Sequence, residues 1–205
     1  MIAFKPDMMD ALTELVGLGI GRAADVLNSM LDSHIGLSVP SVRLVQGAEL
    51  VEVLSRDGGN ALSAVQMRYS GSMKGSVELI FTAGEAGKLV DCIMGEEIVQ
   101  TEEGLDALRS GTLCEVGNIV INAIMGTLSN VLKLHLSYTV PSYIEGNARL
   151  LVDEAGIVEG HVVLLAETEF TVETKSIQGQ IAIFFSPVSY ELLHAAVREF
   201  ADIPA

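Results

Sequence analysis

The chain is poor in cysteine, in aromatic residues and in positive charge. Its 205 residues include two cysteines, no tryptophan, and 12 lysines and arginines against 27 aspartates and glutamates, which gives a formal net charge of −15. Cys92 and Cys114 lie outside any metal-ligand or redox-motif spacing. Clusters of basic residues, which attract nucleic acids and anionic lipids, are lacking. We therefore expect a reduced, cytoplasmic protein whose partner is a protein and neither a nucleic acid nor a membrane.

The sequence also lacks a long hydrophobic run. No uninterrupted apolar stretch approaches the roughly 18 residues that a membrane-spanning helix needs. No charged segment followed by an apolar one opens the chain as a secretory signal would. Because 49% of the residues are hydrophobic, a chain of this length can bury roughly 70% of its unfolded surface. We expect it to fold without disulfides.

Signatures of metal, nucleotide and covalent chemistry are missing as well. The four histidines are scattered, at His34, His135, His161 and His194, and none has the spacing of a metal site. No G-x-S-x-G nucleophile motif occurs. The glycine-rich segment 17–21 lacks the full spacing of a dinucleotide-binding loop and follows the start of a helix. Its Gly17 and Gly21 are expected to pack against a second helix, so no cofactor or metal is predicted for this chain.

What the sequence does contain is a pattern that occurs once in each half. The two copies are Asp10-x3-Glu14-x2-Gly17-x22-Pro40 and Gly111-x3-Glu115-x2-Asn118-x22-Pro141. The two glutamates are 101 residues apart, and so are the two prolines. Three leucines of the first copy recur at the same interval, because Leu12, Leu27 and Leu31 correspond to Leu113, Leu128 and Leu132. A repeat that keeps its register over this length indicates a duplicated structural unit.

Hydrophobic periodicity predicts the same order of elements in both halves. A long amphipathic helix is predicted from Asp7 to about Asp32 and from Leu105 to about Leu134. Strands are predicted over 42–45, 50–54, 61–69 and 76–81, and then over 138–143, 149–152, 157–165 and 180–185. A closing helix is predicted over 84–94 and 189–200. Two such halves predict an α+β fold, in which antiparallel strands of both copies form one sheet and two long helices, related by a pseudo-twofold axis, cover one face.

The duplicated Glu-x2-Asn-x22-Pro element on a long helix resembles the CheC family of chemotaxis phosphatases, which includes the CheX and FliY types. The resemblance covers nearly the whole chain. We interpret residues 1–205 as a single CheC-like domain made of two repeats, about residues 7–95 and 105–201. An acidic linker, which runs from residue 95 to residue 104, joins them.

Glu115 and Asn118 are the candidate site residues of the second helix. Residues three apart on an α-helix lie about 60° from each other, so the two side chains share a face. Asn122 extends that face by another turn. Such spacing is common on solvated helices, but the repeat and the following proline favour a functional strip.

The resemblance implies hydrolysis of the aspartyl phosphate on a CheY-like response regulator, whose active site receives this helix. The magnesium ion is then expected on the regulator. Asn118 would position the attacking water, because a neutral carboxamide both donates and accepts hydrogen bonds. Glu115 would dock by pairing with a lysine of the regulator.

The first copy keeps Asp10 and Glu14 but has Gly17 where the amide is needed. We therefore expect this degenerate first site to be nearly inactive. In the second copy, Gly111 replaces the acidic or hydroxyl residue expected at the start of the pattern. The alternative is a non-catalytic CheC-like adaptor that binds a response regulator, a flagellar-switch component or a CheD-type deamidase.

Overall fold

Two long helices lie side by side on one face of an antiparallel sheet. The computed structural model describes residues 4–30, 35–58, 61–94, 102–158, 160–172 and 175–202. Its helices are α1 (Pro6–Met30), α2 (Gly47–Gly58), α3 (Ala83–Met94), α4 (Glu102–Val131), α5 (Ala148–Glu154) and α6 (Pro187–Phe200). Its strands are β1 (Ile35–Gln46), β2 (Leu62–Gly71), β3 (Gly75–Thr82), β4 (Leu136–Tyr138), β5 (Ser142–Gly146), β6 (Val162–Val172) and β7 (Lys175–Phe185).

The sheet combines strands of both halves in the order β1-β6-β7-β3-β2-β4, with β5 also paired to β2. All pairs are antiparallel. The first strand of each half therefore joins the hairpin of the other half: β1 pairs with β6, and β4 and β5 pair with β2. The predicted duplicated α+β fold is confirmed. The limits of the two repeats stay a prediction.

The hydrophobic core has one layer on each face of the sheet, because side chains alternate along the strands. Val77, Leu79 and Phe81 of β3 point toward the layer that holds α1 and α4. Ile80 belongs to the other layer, which α2 and α5 cover. The long helices thus bury one side each and leave the other side to solvent.

Two predicted strands are helices. The segment predicted as a strand over 50–54 lies in α2, where Leu50 and Leu54, one helical turn apart, are buried. The segment predicted over 149–152 lies in α5, which Asn147 caps by accepting a hydrogen bond from the N–H of Leu150 at 2.9 Å. Apolar runs of four or five residues fit either periodicity, and in both cases packing against the sheet selects the helix.

Other boundaries differ by a few residues. The first strand is longer than predicted and begins at Ile35, and Pro40 lies at a shift in its register with β6, between Ser38 and Ser41. Proline lacks an N–H, so it is tolerated at such a bulge on an edge strand. The predicted end of the first helix at Asp32, the neighbouring His34 and most of the acidic linker lie outside the described residues.

The glycine-rich segment of α1 packs differently from the prediction. Gly17 and Gly21 are exposed, and a Cβ atom at either position would meet no atom within 4 Å. Gly19 makes the helix contact instead, because a Cβ atom there would lie 2.6 Å from the Cα atom of Ile124 in α4. The expected contact of Gly17 and Gly21 with α4 is therefore wrong.

Within the described residues, one helix segment, Asp106–Val131 of α4, has the length and apolar character of a membrane span. Half of its most apolar window is buried inside the protein. Val120, Ile121 and Ile124, for example, belong to the core layer beneath α1 and α4. The composition of this helix is accounted for by its place in the core.

Candidate functional site

The candidate site lies on the outer side of α4, and the inner side of that helix is firmly packed. Its buried hydrophobic residues are Leu113, Val116, Val120, Ile121, Ile124, Met125 and Leu128. Gly117 brings the helix close to the sheet, because a Cβ atom there would lie 2.5 Å from a methyl group of Val65. The opposite side of this turn therefore faces away from the core.

The structure places the predicted residues on that outer side. The Glu115 side chain is exposed, and that of Asn118 is partly buried. Asn122, one turn further on, is exposed. Its Nδ2 atom donates hydrogen bonds to the Asn118 side-chain oxygen at 2.7 Å and to the Asn118 backbone oxygen at 2.8 Å. We call Glu115, Asn118 and Asn122 the α4 strip.

The hydrogen bond from Asn122 determines how Asn118 can act. With its Oδ1 atom already accepting from Asn122, the Asn118 carboxamide keeps its Nδ2 hydrogens as donors, and Oδ1 has a second lone pair. A fixed amide of this kind can orient a water or contact an oxyanion without adding charge. The sequence analysis placed Asn122 on this face but did not predict its hydrogen bond to Asn118. The sequence feature that indicates this bond is the four-residue spacing of the two asparagines on one helix.

The cysteine beside the strip is a poor nucleophile. Burial raises the pKa of the Cys114 thiol, and the negative charge of Glu115 raises it further. The thiolate, which is the reactive form, is therefore disfavoured at neutral pH. The α4 strip offers a carboxylate and amides for catalysis, and no activated nucleophile among its described neighbours.

The corresponding face of α1 lacks both amides. Asp10 and Glu14 are exposed, as their counterparts in the second half are. Gly17 and Gly21 stand 101 residues before Asn118 and Asn122, and both have open space around them. The first copy therefore presents two carboxylates and a bare stretch of helix.

Gly111, at the start of the pattern in the second copy, also has no atom within 4 Å of a Cβ atom at its position. The helix offers no side chain there. Ser110 cannot replace it directly, because its hydroxyl donates to the backbone oxygen of Ala107 at 3.1 Å and its direction differs by about 100°.

An antiparallel sheet shared by two halves, with a pair of long helices on one face and an exposed Glu-x-x-Asn on one of them, is the arrangement that the resemblance to the CheC family predicts. No family model matches the chain. It is 28% identical over 139 residues to the CheY-P phosphatase CheC of Bacillus subtilis strain 168, which is 67% of this chain and 66% of that protein. The chain is thus a homologue of CheC, although the match spans slightly less than two thirds of the length of that relative.

Solved structures show the same fold. FliY of Thermotoga maritima matches with a TM-score of 0.73 at 19% identity, over 97% of this chain and 100% of that chain. The structure of the CheX–CheY–BeF3–Mg²⁺ complex of Borrelia burgdorferi contains a match with a TM-score of 0.53 at 18% identity, over 85% of this chain and 99% of that chain. The resemblance to the CheC family is confirmed.

Proposed function

We propose that this chain hydrolyses the aspartyl phosphate of a CheY-like response regulator. The observation that carries the proposal is the α4 strip, in which an exposed glutamate lies next to a carboxamide that a second asparagine orients. The homologous CheC is named a CheY-P phosphatase, and CheX is named in a complex with CheY. Both names support a regulator as the partner.

An acyl phosphate is already activated, so the main tasks of the phosphatase are positioning and exclusion of misdirected water. In the proposal, Asn118 holds a water in line with the phosphorus–oxygen bond of the phosphoaspartate. The water oxygen attacks phosphorus, the aspartate carboxylate leaves, and inorganic phosphate is released. A carboxylate in place of Asn118 would repel the phosphoryl oxygens, whereas a neutral amide does not.

Glu115 has a docking role in the proposal. Its exposed carboxylate pairs with a lysine in the active site of the regulator, which fixes the register of α4 against the phosphoryl group. In the proposal the magnesium ion belongs to the regulator, and the described residues of this chain contain no cluster that could hold a metal ion. These roles predict that Asn118 acts mainly on the turnover rate and Glu115 mainly on affinity.

The test is the decay of a phosphorylated CheY-like regulator in the presence of wild-type protein, Asn118→Ala or Asn130→Ala. Asn130 is an exposed asparagine of the same helix, so its variant is a matched control. Loss of a preorganised polar group at a reaction centre costs about 10²- to 10³-fold in rate, which we expect for Asn118→Ala alone. Equal decay with all three proteins would refute the phosphatase proposal.

The second candidate is a non-catalytic adaptor that sequesters a response regulator, or binds a flagellar-switch component or a CheD-type deamidase. Gly17 and Gly111 favour this candidate, because each leaves its copy of the catalytic pattern incomplete. The helix surface around both glycines is open and can still contact a partner. The two candidates differ in stoichiometry. A phosphatase at a tenth of the regulator concentration dephosphorylates the whole regulator pool by repeated turnover. An adaptor binds at most one regulator molecule per adaptor molecule, so at the same concentration it affects at most a tenth of the pool.

A further inference from the structure

Two cavities in this protein occupy equivalent places with respect to the duplication, and each is lined by residues of both halves. One, of about 500 Å³, has Phe81, Thr82 and Gly179 in its lining. The other, of about 290 Å³, is bordered by Phe185, Ser186 and Gly75. Phe81 and Phe185 are 104 residues apart, and the same interval relates Thr82 to Ser186 and Gly75 to Gly179. Three lining residues of one cavity thus correspond to three lining residues of the other.

Strand pairing extends the correspondence to the polar residues. Arg68 lies opposite Ser76 in the β2–β3 pair, and Glu167 lies opposite Gln180 in the β6–β7 pair. Since Ser76 and Gln180 are equivalent, Arg68 and Glu167 are equivalent too. Lys74 likewise corresponds to Gln178.

One further pair completes the comparison. Leu62 pairs with Thr82, and His161 immediately precedes Val162, which pairs with Phe185. If the β6–β7 register is continued by one residue, His161 falls beside Ser186 as Leu62 falls beside Thr82. His161 is therefore the equivalent of Leu62.

The two cavities have diverged to opposite charge. The larger, which we call the acidic cavity, is lined by Glu85 and Glu167. The smaller, which we call the basic cavity, is lined by Arg68, Lys74 and His161, and no described residue of its lining is acidic. In a chain with 12 basic and 27 acidic residues, gathering three nitrogen donors in one cavity runs against the average composition. This points to a ligand of negative charge.

Each of the three nitrogen groups is available to a ligand in a different way. The Arg68 guanidinium is anchored by one bond, from Nη2 to the backbone oxygen of Glu154 at 3.0 Å, which leaves its other N–H groups. The Lys74 ammonium forms no hydrogen bond or ion pair with any residue that the structure describes. His161 accepts a hydrogen bond at Nδ1 from the N–H of Val158 at 3.0 Å, so its proton is on Nε2.

The N-terminus of α6, which lies at the basic cavity, adds to the positive electrostatic potential there. Ser186, in the lining, is the N-cap of the 14-residue α6, and its hydroxyl oxygen accepts a hydrogen bond from the N–H of Ser189. The positive end of the helix dipole therefore lies at the rim. Burial lowers the pKa of His161, so at neutral pH the ring is a neutral donor and the positive charge comes from Arg68 and Lys74.

We propose that the basic cavity binds a small phosphate-class anion through Arg68, Lys74 and His161. Guanidinium and ammonium groups are the usual partners of phosphate oxygens. The volume corresponds to about ten water molecules, which suits inorganic phosphate or a short phosphate monoester. The lining also includes the apolar residues Phe184 and Ile157, which offer a surface for a small organic group. This site is separate from the α4 strip and does not depend on the proposed phosphatase activity.

The test is calorimetric titration of the full chain with inorganic phosphate in a phosphate-free buffer of low ionic strength. The variant is Lys74→Gln, which installs the residue that the acidic cavity has at position 178. The matched control is Lys133→Gln, since Lys133 is an exposed lysine outside the cavity. We expect saturable binding by the wild type, at least a tenfold loss of affinity in Lys74→Gln, and less than a twofold change in Lys133→Gln.

Two results would overturn the proposal: no saturable binding by the wild type at millimolar phosphate, or equal weakening in both lysine variants, which would indicate screening by general charge. Competition with glycerol phosphate identifies the source of the ligand. Tighter binding of the monoester assigns an organic phosphate, and tighter binding of phosphate assigns the inorganic ion. Asn118→Ala should bind phosphate as the wild type does, so the outcome here is independent of the phosphatase test.

Discussion

Asn122 donates a hydrogen bond of 2.7 Å to the side-chain oxygen of Asn118. The pair lies on the solvent side of α4, one turn apart, and the bond restricts the rotation of the carboxamide proposed to hold the water. Asn122 is thereby a candidate positioning residue, which acts through Asn118.

We predict that Asn122→Ala lowers kcat about tenfold and leaves KM for the phosphorylated regulator nearly unchanged. A misplaced group at a reaction centre lowers the rate without weakening ground-state docking. Steady-state kinetics with Asn130→Ala as the control will measure the split. A change in KM alone would mean that Asn122 contacts the partner and does not position Asn118.

Glu115 of α4 and Glu14 of α1 are an equivalent pair of exposed glutamates. Only Glu115 has asparagines beside it on its helix. We predict that Glu115→Ala raises KM for the regulator severalfold with little change in kcat, because a docking contact is made equally before and during the reaction. Glu14→Ala should leave both constants unchanged. The experiment compares initial rates over a range of regulator concentrations, and a loss of kcat in Glu115→Ala would place its carboxylate in the chemical step.

The first copy can be tested by adding what it lacks. Gly17→Asn together with Gly21→Asn would recreate the asparagine pair beside Glu14, and both positions have open space for a side chain. In an Asn118→Ala background, we predict that this double substitution restores measurable phosphatase activity. Gly17→Ala with Gly21→Ala in the same background is the control. Activity no higher than that of the control would show that the face of α1 does not dock as α4 does.

Replacing Gly17 or Gly19 of α1 by alanine should change the stability of the fold in opposite directions. Glycine in a helix interior costs roughly 0.5–1 kcal/mol relative to alanine, so Gly17→Ala should raise the free energy of unfolding by about that amount. Gly19→Ala should lower it by about 1–3 kcal/mol, because the new methyl group would lie 2.6 Å from the Cα atom of Ile124. Urea unfolding measures both, and similar shifts in the two variants would contradict the packing of α1 on α4.

Glu78 gives the fold a dependence on pH. Its side chain is fully buried in β3, opposite Ala182 of the equivalent strand β7, and accepts a hydrogen bond from Gln66 at 2.7 Å. Burial raises its pKa to about 7, with a further contribution from the charge of Glu154. The folded state therefore holds a proton that the unfolded state releases near pH 4.5. Proton binding by Glu78 therefore stabilises the folded state fully below pH 4.5, and this stabilisation is lost as the pH rises through 7.

We predict that this loss amounts to about 3 kcal/mol between pH 4.5 and pH 8, and that Glu78→Gln flattens it. Glutamine retains an oxygen for the hydrogen bond from Gln66 but has no proton to release. The measurement is the free energy of unfolding in urea at several pH values. Glu191→Gln, at an exposed position of α6, is the control and should keep the wild-type slope.

The sequence predicted the long helices, the strands β2 and β3 and the α4 strip because each depends on a local period or on the repeat. It predicted β6 and β7 only in part, because the strands predicted over 157–165 and 180–185 leave much of Val162–Val172 and Lys175–Phe185 uncovered. It did not predict α2 and α5, whose short apolar runs fit a strand as well as a helix until the sheet is present. The basic cavity was equally out of reach. Arg68, Lys74 and His161 meet only because β2, the β2–β3 turn and the start of β6 converge, and no short-range pattern connects them.

The exchange of first strands has a consequence for how this protein could change. Two identical halves that complete each other's sheet are the architecture of a symmetric homodimer, in which every substitution appears twice. Once both halves belong to one polypeptide, each position can be altered singly while its twin preserves the shared scaffold. An amide pair retained on one helix and lost from the other, and a cavity made cationic beside an anionic twin, are the specialisations that such independence permits.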